Sequence, residues 1–295
     1  MSELKKIIED AEKKKVALGH FNISNLEQLK AIFEAGRELS LPLIIGTSEG
    51  EGNFIGFKQA VALIKSLKEE FNYPIFLNAD HIHSLEKAKE AAEAGYDAIT
   101  FDVSESSFEE NLKKTKEAVK FIRAINPEIL VEGEIGFIGT SSKILKEIPK
   151  GATVKPEDLT KPEEAKKFIK ETGVDLLAPA VGNIHGMFAN ISNPNLDIKR
   201  IKEIREALRQ SSGQAGVPLV LHGGSGITNE DFLAAIDAGI SIIHINTEIR
   251  WAWRRSLEKS LKDNPEEIAP YKIMPAVIEE MKKVVVEKLK IFNKF

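Results

Sequence analysis

The sequence predicts an α/β fold, a single-domain (β/α)8 barrel of the TIM type, on three observations. Eight short apolar runs recur along the chain, most of them apolar at consecutive positions, as parallel strands covered on both faces require. Between them lie longer stretches with apolar residues at three- and four-residue spacing, the pattern of covering helices. Several of those stretches close on a glycine just before the next run, at Ala94-Gly95, Thr172-Gly173 and Ala238-Gly239, which suits the left-handed residue that ends a helix. Eight strand–helix units with right-handed crossovers close most economically into a barrel. A chain of 295 residues is within the reach of one such domain.

Taken in order, the N-terminal MSELKKIIEDAEKKK reads as a charged amphipathic helix. The predicted strands follow at 16–21, 42–46, 75–79, 98–101, 129–133, 176–180, 219–221 and 242–245, with helices such as 84–94 and 109–125 between them. Residues 137–162, after the fifth strand, are too long and too mixed in composition for an ordinary βα loop, and loops of that kind are usually functional or mobile. From Pro265 the pattern changes: Pro270 and Pro275 interrupt it, and MPAVIEEMKKVVVEKLKIF then gives a last amphipathic helix. Residues 262–295 are therefore a C-terminal helical extension, packed on the barrel or on another subunit. No Gly/Ser/Pro-rich linker divides the chain, so 1–295 is expected to be one domain.

Composition narrows the partners. At 42% apolar the chain can build a large core, and 41 Lys plus Arg against 45 Asp plus Glu give a net charge of −4 with both signs interspersed. That leaves no basic face for nucleic acid and no polybasic anchor for a membrane. The absence of Cys removes disulfides, thiolate metal ligands and Cys nucleophiles together, and suits a reducing compartment. Without a signal-like apolar run, or 18 uninterrupted apolar residues anywhere, the expected location is cytoplasmic.

The six histidines fall at strand ends, where a barrel does its chemistry. His20 lies in the first strand, His81 and His83 just after the third, His185 after the sixth, His222 at the end of the seventh and His244 within the eighth. One such His is ordinarily a hydrogen-bonded structural residue, but several on one rim are better explained by a metal. With no Cys available, His81, His185 and His222 would give three imidazole ligands and an open position, the arrangement of a catalytic Zn2+. Asp80 directly precedes His81 in NADHIHS and is the first candidate acid/base; its alternative is to fix a ligand's tautomer. Gly186 follows His185, and Gly223, Gly224, Ser225 and Gly226 follow the seventh strand. Glycines there let backbone N–H groups approach a phosphate, with Asn246 and Thr247 adding side-chain donors. In VEGEIG, Glu132 and Glu134 point to the same side, toward the barrel interior or toward the helices, as ordering groups or as an ion pair.

These residues resemble class II, zinc-dependent fructose-bisphosphate aldolases and their tagatose-bisphosphate relatives over essentially the whole chain. The motifs that carry the resemblance, in family order, are HFNISN, TSEGE, NADHIHS, ITFDVSESSFEENLKKTKEAV, VEGEIGFIG, VGNIHGMF, LVLHGGSGI and INTEIR. The resemblance implies zinc on His81, His185 and His222, with Asp102, Glu132 and Glu134 behind them or as alternate ligands. It implies that Asp80 exchanges a proton with the C4 hydroxyl of a ketose bisphosphate. Gly186, Gly223, Ser225 and Thr247 match positions that hold the phosphate of the dihydroxyacetone phosphate half, and Asn22 and Ser48 match polar residues of the same pocket. Carbonyls around Val181, Gly186 and Gly223 match a Na+ or K+ site. The C-terminal helices make a homodimer or homotetramer the expected assembly.

Two departures from the family pattern matter. The usual acidic pair of a Gly-Gly-x-Glu-Asp stretch after the fifth strand is missing: Gly139 is followed by Thr140, Ser141, Ser142 and Lys143, and Glu147 is the nearest acid. The Asn that opens the usual Asn-x-x-Thr at the eighth strand is His244, an imidazole N–H in place of an amide donor. Asn246 stands where tagatose-type enzymes tend to have a small residue, which favours fructose 1,6-bisphosphate. The chemistry is coherent: cleavage beside a carbonyl leaves an enediolate, a metal can polarise that carbonyl, and no strand-end Lys offers a Schiff base. Two other readings are a zinc hydrolase, from His81-Ile82-His83, and a non-catalytic sugar-phosphate binder, from the two departures.

Overall fold

The computed structural model describes residues 2–140, 142–212 and 216–295, so Ser141 of the altered loop lies outside the described residues. Helix α1 (Glu3–Lys14) leads into β1 (Leu18–Asn22), α2 (Leu26–Leu39), β2 (Leu43–Ser48), α3 (Glu49–Ile55) and α4 (Phe57–Phe71). Then follow β3 (Ile75–Ile82), α5 (Leu85–Ala94), β4 (Ala98–Phe101), α6 (Phe108–Ile125) and β5 (Leu130–Ile135). After β5 come a two-residue β6 (Ile144–Leu145), α7 (Pro162–Thr172), β7 (Leu176–Pro179), a two-residue β8 (Met187–Phe188) and α8 (Ile198–Ser212). The last elements are β9 (Leu219–Leu221), α9 (Asn229–Ala238), β10 (Ile240–Ile245), α10 (Thr247–Asp263) and α11 (Pro270–Phe292). Among the described residues the main sheet is a closed parallel barrel in the order β1-β10-β9-β7-β5-β4-β3-β2.

All eight expected strands are present, and the glycine stops act as the sequence predicts. Gly95, Gly173 and Gly239 cap α5, α7 and α9 in the left-handed conformation, with φ of 103°, 75° and 118°. Two features depart from expectation. The long segment after β5 carries β6, which pairs in parallel with β8 and so ties that segment to the loop after β7. Pro275 does not interrupt the C-terminal helix; α11 begins at Pro270 and runs through Pro275. The reason is position: Pro270 takes the first helical place, where its missing N–H costs nothing, and Pro275 forgoes only one bond, toward the carbonyl of the 76% exposed Tyr271.

The barrel interior is built in layers. At the N-terminal end Leu18, Ile44, Phe76, Ala98, Leu130, Leu176, Val220 and Ile242 form one buried apolar cluster, sealed by Leu4, Ile8 and Ala11 of α1. Two residues further along, on the same inward face, six of the eight strands turn polar, with His20, Asn78, Thr100, Glu132, His222 and His244 all buried, while β2 and β7 carry Gly46 and Ala178. These groups are partly linked to one another, with Asn78 Nδ2 3.1 Å from both His20 Nε2 and Thr100 Oγ1. A dry floor under a polar layer leaves the C-terminal mouth as the place where charge can meet solvent. The second core lies between strands and helices, and Val277, Met281, Val285, Leu289 and Phe292 of α11 belong to it.

The C-terminal extension is therefore barrel structure. Phe292 is fully buried and meets Phe232 of α9 edge-on, with ring centroids 5.1 Å apart. Phe292→Ala should lower the free energy of unfolding by about 3–5 kcal/mol in a urea titration. A loss below about 1 kcal/mol would place α11 outside the cooperative unit of the barrel.

Candidate metal centre and active site

The site begins with a backbone irregularity in β3. Neighbouring side chains of a regular strand point to opposite faces, so Asp80 and His81 should not share a pocket. His81 has a left-handed φ of 52°, uncommon for a side chain other than glycine, and the β3–β4 register shifts between Ala79 and Ile82. The kink turns His81 into the barrel mouth while Asp80 keeps its inward place. Local strain of this kind persists where surrounding contacts hold it, here a 2.8 Å hydrogen bond between His81 Nδ1 and Asp102 Oδ2.

Donor atoms of His81, Glu134, His185 and His222 lie within 4.8 Å of one another. His81 Nε2 is 3.2 Å from His222 Nδ1, and Glu134 Oε2 is also 3.2 Å from that Nδ1. Ligands of one tetrahedral zinc, with Zn–N near 2.1 Å, would stand about 3.4 Å apart, so the spacing fits a shared cation. Glu134 Oε2 and His185 Nε2 are both buried without a hydrogen-bond partner among the described residues, which two such groups tolerate only if something else satisfies them. The far nitrogens are held as metal-binding imidazoles require. Asp102 takes His81 Nδ1, and Glu132 takes His222 Nε2 at 2.6 Å. Of the two sides left open by VEGEIG, the interior is the one observed: Glu134 faces the imidazole group and Glu132 holds His222 Nε2.

Charge follows burial and pairing. Burial pushes the His222 ring toward neutrality, but Glu132 and Glu134 outweigh it and hold the ring well above its ordinary value. His81 behaves alike, with burial opposed by Asp80 and Asp102, and rises to about 9. His185 has no carboxylate of its own, and burial together with the charges of His81 and His222 lowers it to about 3. Burial raises Glu134, reinforced by the nearby Asp102. Asp80 is the reverse case: burial opposes its ionisation, yet His81 and His244 hold it well below the usual carboxylate range. Carboxylate charge is thus paired with the His81 and His222 rings, and Asp80 is an ionised carboxylate beside them.

Behind that group stand stacked imidazoles. His20 and His244 are 3.5 Å apart and 5° from parallel, and His222 lies 4.1 Å from His244. Burial keeps His20 neutral at about 4, and His244 is likewise held well below its ordinary value by burial and by His20. Donor atoms of His20, Asp80 and His244 also lie within 4.8 Å. Lone pairs in two nearly parallel ring planes do not meet at one point, so this second convergence is a packed polar floor. His244 Nδ1 sits 3.3 Å from Asp80 Oδ1.

One cavity at the mouth is lined by Asn22, Ser48, Asp80, His81, Asp102, His185, Gly186, Gly223, Ser225, His244, Asn246 and Thr247. The expected phosphate residues therefore share a wall. Ser225 Oγ accepts from Asn246 N–H at 3.3 Å and Glu248 N–H at 3.2 Å, which fixes the GGSG turn on the N-terminus of α10, an end that favours an anion. Glycine is required at 223: its φ is 61°, and a Cβ there would meet the Ile184 carbonyl oxygen at 2.3 Å. The carbonyls of Val181 and Gly186 already accept from Asp197 N–H and Asn193 Nδ2.

Two other expected residues do not reach the imidazole group, although His83 lines the edge of the cavity. His83 is at the exposed rim, its Nδ1 2.8 Å from the Asp102 carbonyl oxygen, so it does not join His81 as the ligand pair of a hydrolase. Glu147 is exposed and does not line the cavity. The sequence reading gave no role to Glu51, Arg250 or Asn78, all of which reach this layer. The signal for Glu51 was present in Ser48-Glu49-Gly50-Glu51, a capping box that the structure forms at α3.

The orienting role of Glu132 can be measured. Glu132→Gln keeps the volume but removes the charge on His222 Nε2, and should weaken zinc binding about 10–100-fold in competition with a chromophoric chelator. Unchanged affinity would mean that His222 is not a ligand.

Comparison with known proteins agrees with this geometry. The family model described as "Fructose-bisphosphate aldolase class-II" matches residues 2–295. A fructose-bisphosphate aldolase of Geobacillus stearothermophilus is 35% identical over 293 residues, covering 98% of this chain and 96% of that one. A probable fructose-bisphosphate aldolase of Bacillus subtilis is 33% identical over 290 residues, 97% of this chain and 95% of its own. Among solved structures, the YdjI aldolase from Escherichia coli K12 superposes with a TM-score of 0.80 at 30% identity, covering 99% of this chain and 97% of that one. With the barrel, the imidazole group at its mouth and a family match along nearly the whole chain in agreement, the chain belongs to the class-II fructose-bisphosphate aldolases, a family of metal-dependent lyases.

Proposed function

We propose that this enzyme cleaves fructose 1,6-bisphosphate to dihydroxyacetone phosphate and glyceraldehyde 3-phosphate, and runs the reverse condensation, with Zn2+ on His81, His185 and His222. The observation that carries the reading is the convergence of these three imidazoles with Glu134 beside the ionised Asp80. Bound zinc supplies a Lewis acid for the ketose carbonyl. The chain does the rest. Asp80 takes the C4 hydroxyl proton as the C3–C4 bond breaks and returns it on condensation. His244, a neutral ring where the family usually has Asn, offers an N–H to the negative oxygen that develops on the triose.

Orientation comes from the phosphates. Gly186, Gly223, Ser225, Asn246 and Thr247 suit the phosphate next to the ketone, and Asn22 and Ser48 line the same cavity. Glu147 is the acid proposed to move the proton on the triose, and its exposed place means that it serves only when its carboxylate is brought into the cavity. A Na+ or K+ at the carbonyls of Val181, Gly186 and Gly223 would use second lone pairs on the first two, which already accept a hydrogen bond each. The same reading puts the enzyme in the cytoplasm as a homodimer or homotetramer. No helix of the described residues is long and apolar enough to cross a membrane, and α10 and the start of α11 expose Trp251, Leu261 and Tyr271.

The test is one coupled assay of triose phosphate release from fructose and tagatose 1,6-bisphosphates, before and after chelation. Chelator should abolish turnover, zinc should restore it, the fructose substrate should be preferred, and His185→Ala should lose at least about 10³-fold. Turnover that survives chelation would overturn the metal mechanism, a tagatose preference would overturn the substrate, and tight binding without turnover would favour a sugar-phosphate binder.

A further inference from the structure

Glu51 is a buried carboxylate, 5% exposed, to which the chemistry above gives no task. It stands in the first turn of α3 and satisfies both oxygens. Oε2 accepts from Ser48 N–H, Ser48 Oγ and Asn22 Nδ2, each at 2.9 Å. Oε1 accepts from Ser24 Oγ at 3.2 Å and from Arg250 Nη2 at 2.5 Å. Arg250 belongs to α10, 199 positions later in the chain, and its Nη1 donates to the Ser142 carbonyl at 3.3 Å. The Glu51 carboxylate is buried while Arg250 is partly exposed, and a charge taken out of water at the lining of a pocket is costly unless its bonds offset the penalty.

What it does passes through Asn22. An amide nitrogen has two hydrogens, and Asn22 Nδ2 gives them to two acids, Glu51 Oε2 at 2.9 Å and Asp80 Oδ2 at 2.8 Å. A carboxylate only accepts, so Glu51 dictates which end of the Asn22 amide faces this side of the pocket. Because the same nitrogen serves Asp80, that choice also gives Asp80 its donor. The other neighbours of Asp80 are looser, His244 Nδ1 at 3.3 Å and His81 Nε2 at 3.8 Å. The Asn22 bond is the one that fixes the carboxylate.

We propose that Glu51, held by Arg250, is a positioning residue that locks the Asn22 amide with its NH2 toward Asp80 and so aims the Asp80 carboxylate at the substrate hydroxyl. The inference rests on the reading of Asp80 as the proton-transfer group. Without Glu51 the Asn22 amide keeps one of its two anchors, turns more freely about its side-chain bonds, and holds the Asp80 carboxylate less firmly. A misplacement of about 1 Å costs on the order of 10²-fold in rate. Gly186, Gly223, Ser225 and Thr247 are not among the partners of Glu51, so the hold of those residues on a phosphate is left alone.

The experiment measures kcat, KM and bound zinc for the zinc-loaded enzyme acting on fructose 1,6-bisphosphate. The variants are Glu51→Ala, Asn22→Ala, their double mutant, Arg250→Met, Arg250→Lys and Asp80→Ala. Glu51→Ala should lower kcat about 10–100-fold, with KM within about threefold and zinc content unchanged. The double mutant should be no slower than Asn22→Ala, because Glu51 acts through that amide. Arg250→Met should fall in the same direction, and Arg250→Lys should recover part of the loss. Multiplicative losses in the double mutant, or a raised KM at unchanged kcat, would overturn the proposal. If Glu51→Ala does not fold, Glu51→Gln serves, since its NH2 must face either Arg250 or the donors of Ser48 and Asn22, and the same non-additivity is required. Turnover by Asp80→Ala would sink the reading of Asp80 itself, whereas an inactive Asp80→Ala beside a fully active Glu51→Ala would sink only this inference.

Discussion

Carboxylates buried behind imidazoles hold this site together. Asp102 behind His81 and Glu132 behind His222 each take one ring nitrogen and thereby turn the other toward a common point. Remove that constraint and the rings would be free to rotate, burial would leave them neutral and undirected, and the strain in β3 would have nothing to hold it. Acids inside a barrel are tolerable only when paired, so the pairs in turn demand imidazoles and a cation at fixed places. His185, the ring without a carboxylate, completes the group from the loop after β7.

The barrel supplies what such pairs need, a rigid ring of strands and a dry floor. The apolar layer capped by α1 closes the N-terminal end, so the polar layer is reached only from the mouth. Parallel pairing of β6 with β8 brings the altered loop after β5 next to the loop that carries His185 and Gly186. The loop with the missing acid and the loop that brings His185 to the imidazole group are thus mechanically connected. The Glu51–Arg250 pair extends the same principle to Asn22, where a fixed charge orders an amide that orders a second charge.

Most of the fold was legible because parallel strands buried on two faces leave continuous apolar runs and glycine marks the helix ends. The strand-end histidines were legible for a related reason, since polar residues closing apolar runs have few structural explanations. Less could be read where geometry depends on closure. The side to which Glu132 and Glu134 point follows only once the barrel interior is defined, and the contact of Glu51 with Arg250 joins elements far apart in the chain. Two-residue strands such as β6 and β8 have no periodicity to detect, and Pro275 misleads because its cost depends on how near the helix start it lies. Glu147 was chosen for proximity in sequence, and the path of the segment after β5 carries it to the exposed surface instead.

The central claim is that the three imidazoles of His81, His185 and His222 form the metal site. Anomalous diffraction from crystals of the zinc-loaded protein, recorded on both sides of the zinc edge, tests it most directly. The account predicts one strong peak at the barrel mouth, within about 2.0–2.3 Å of a nitrogen from each of the three rings. A peak at the His20–Asp80–His244 floor, or no peak inside the barrel, would contradict it.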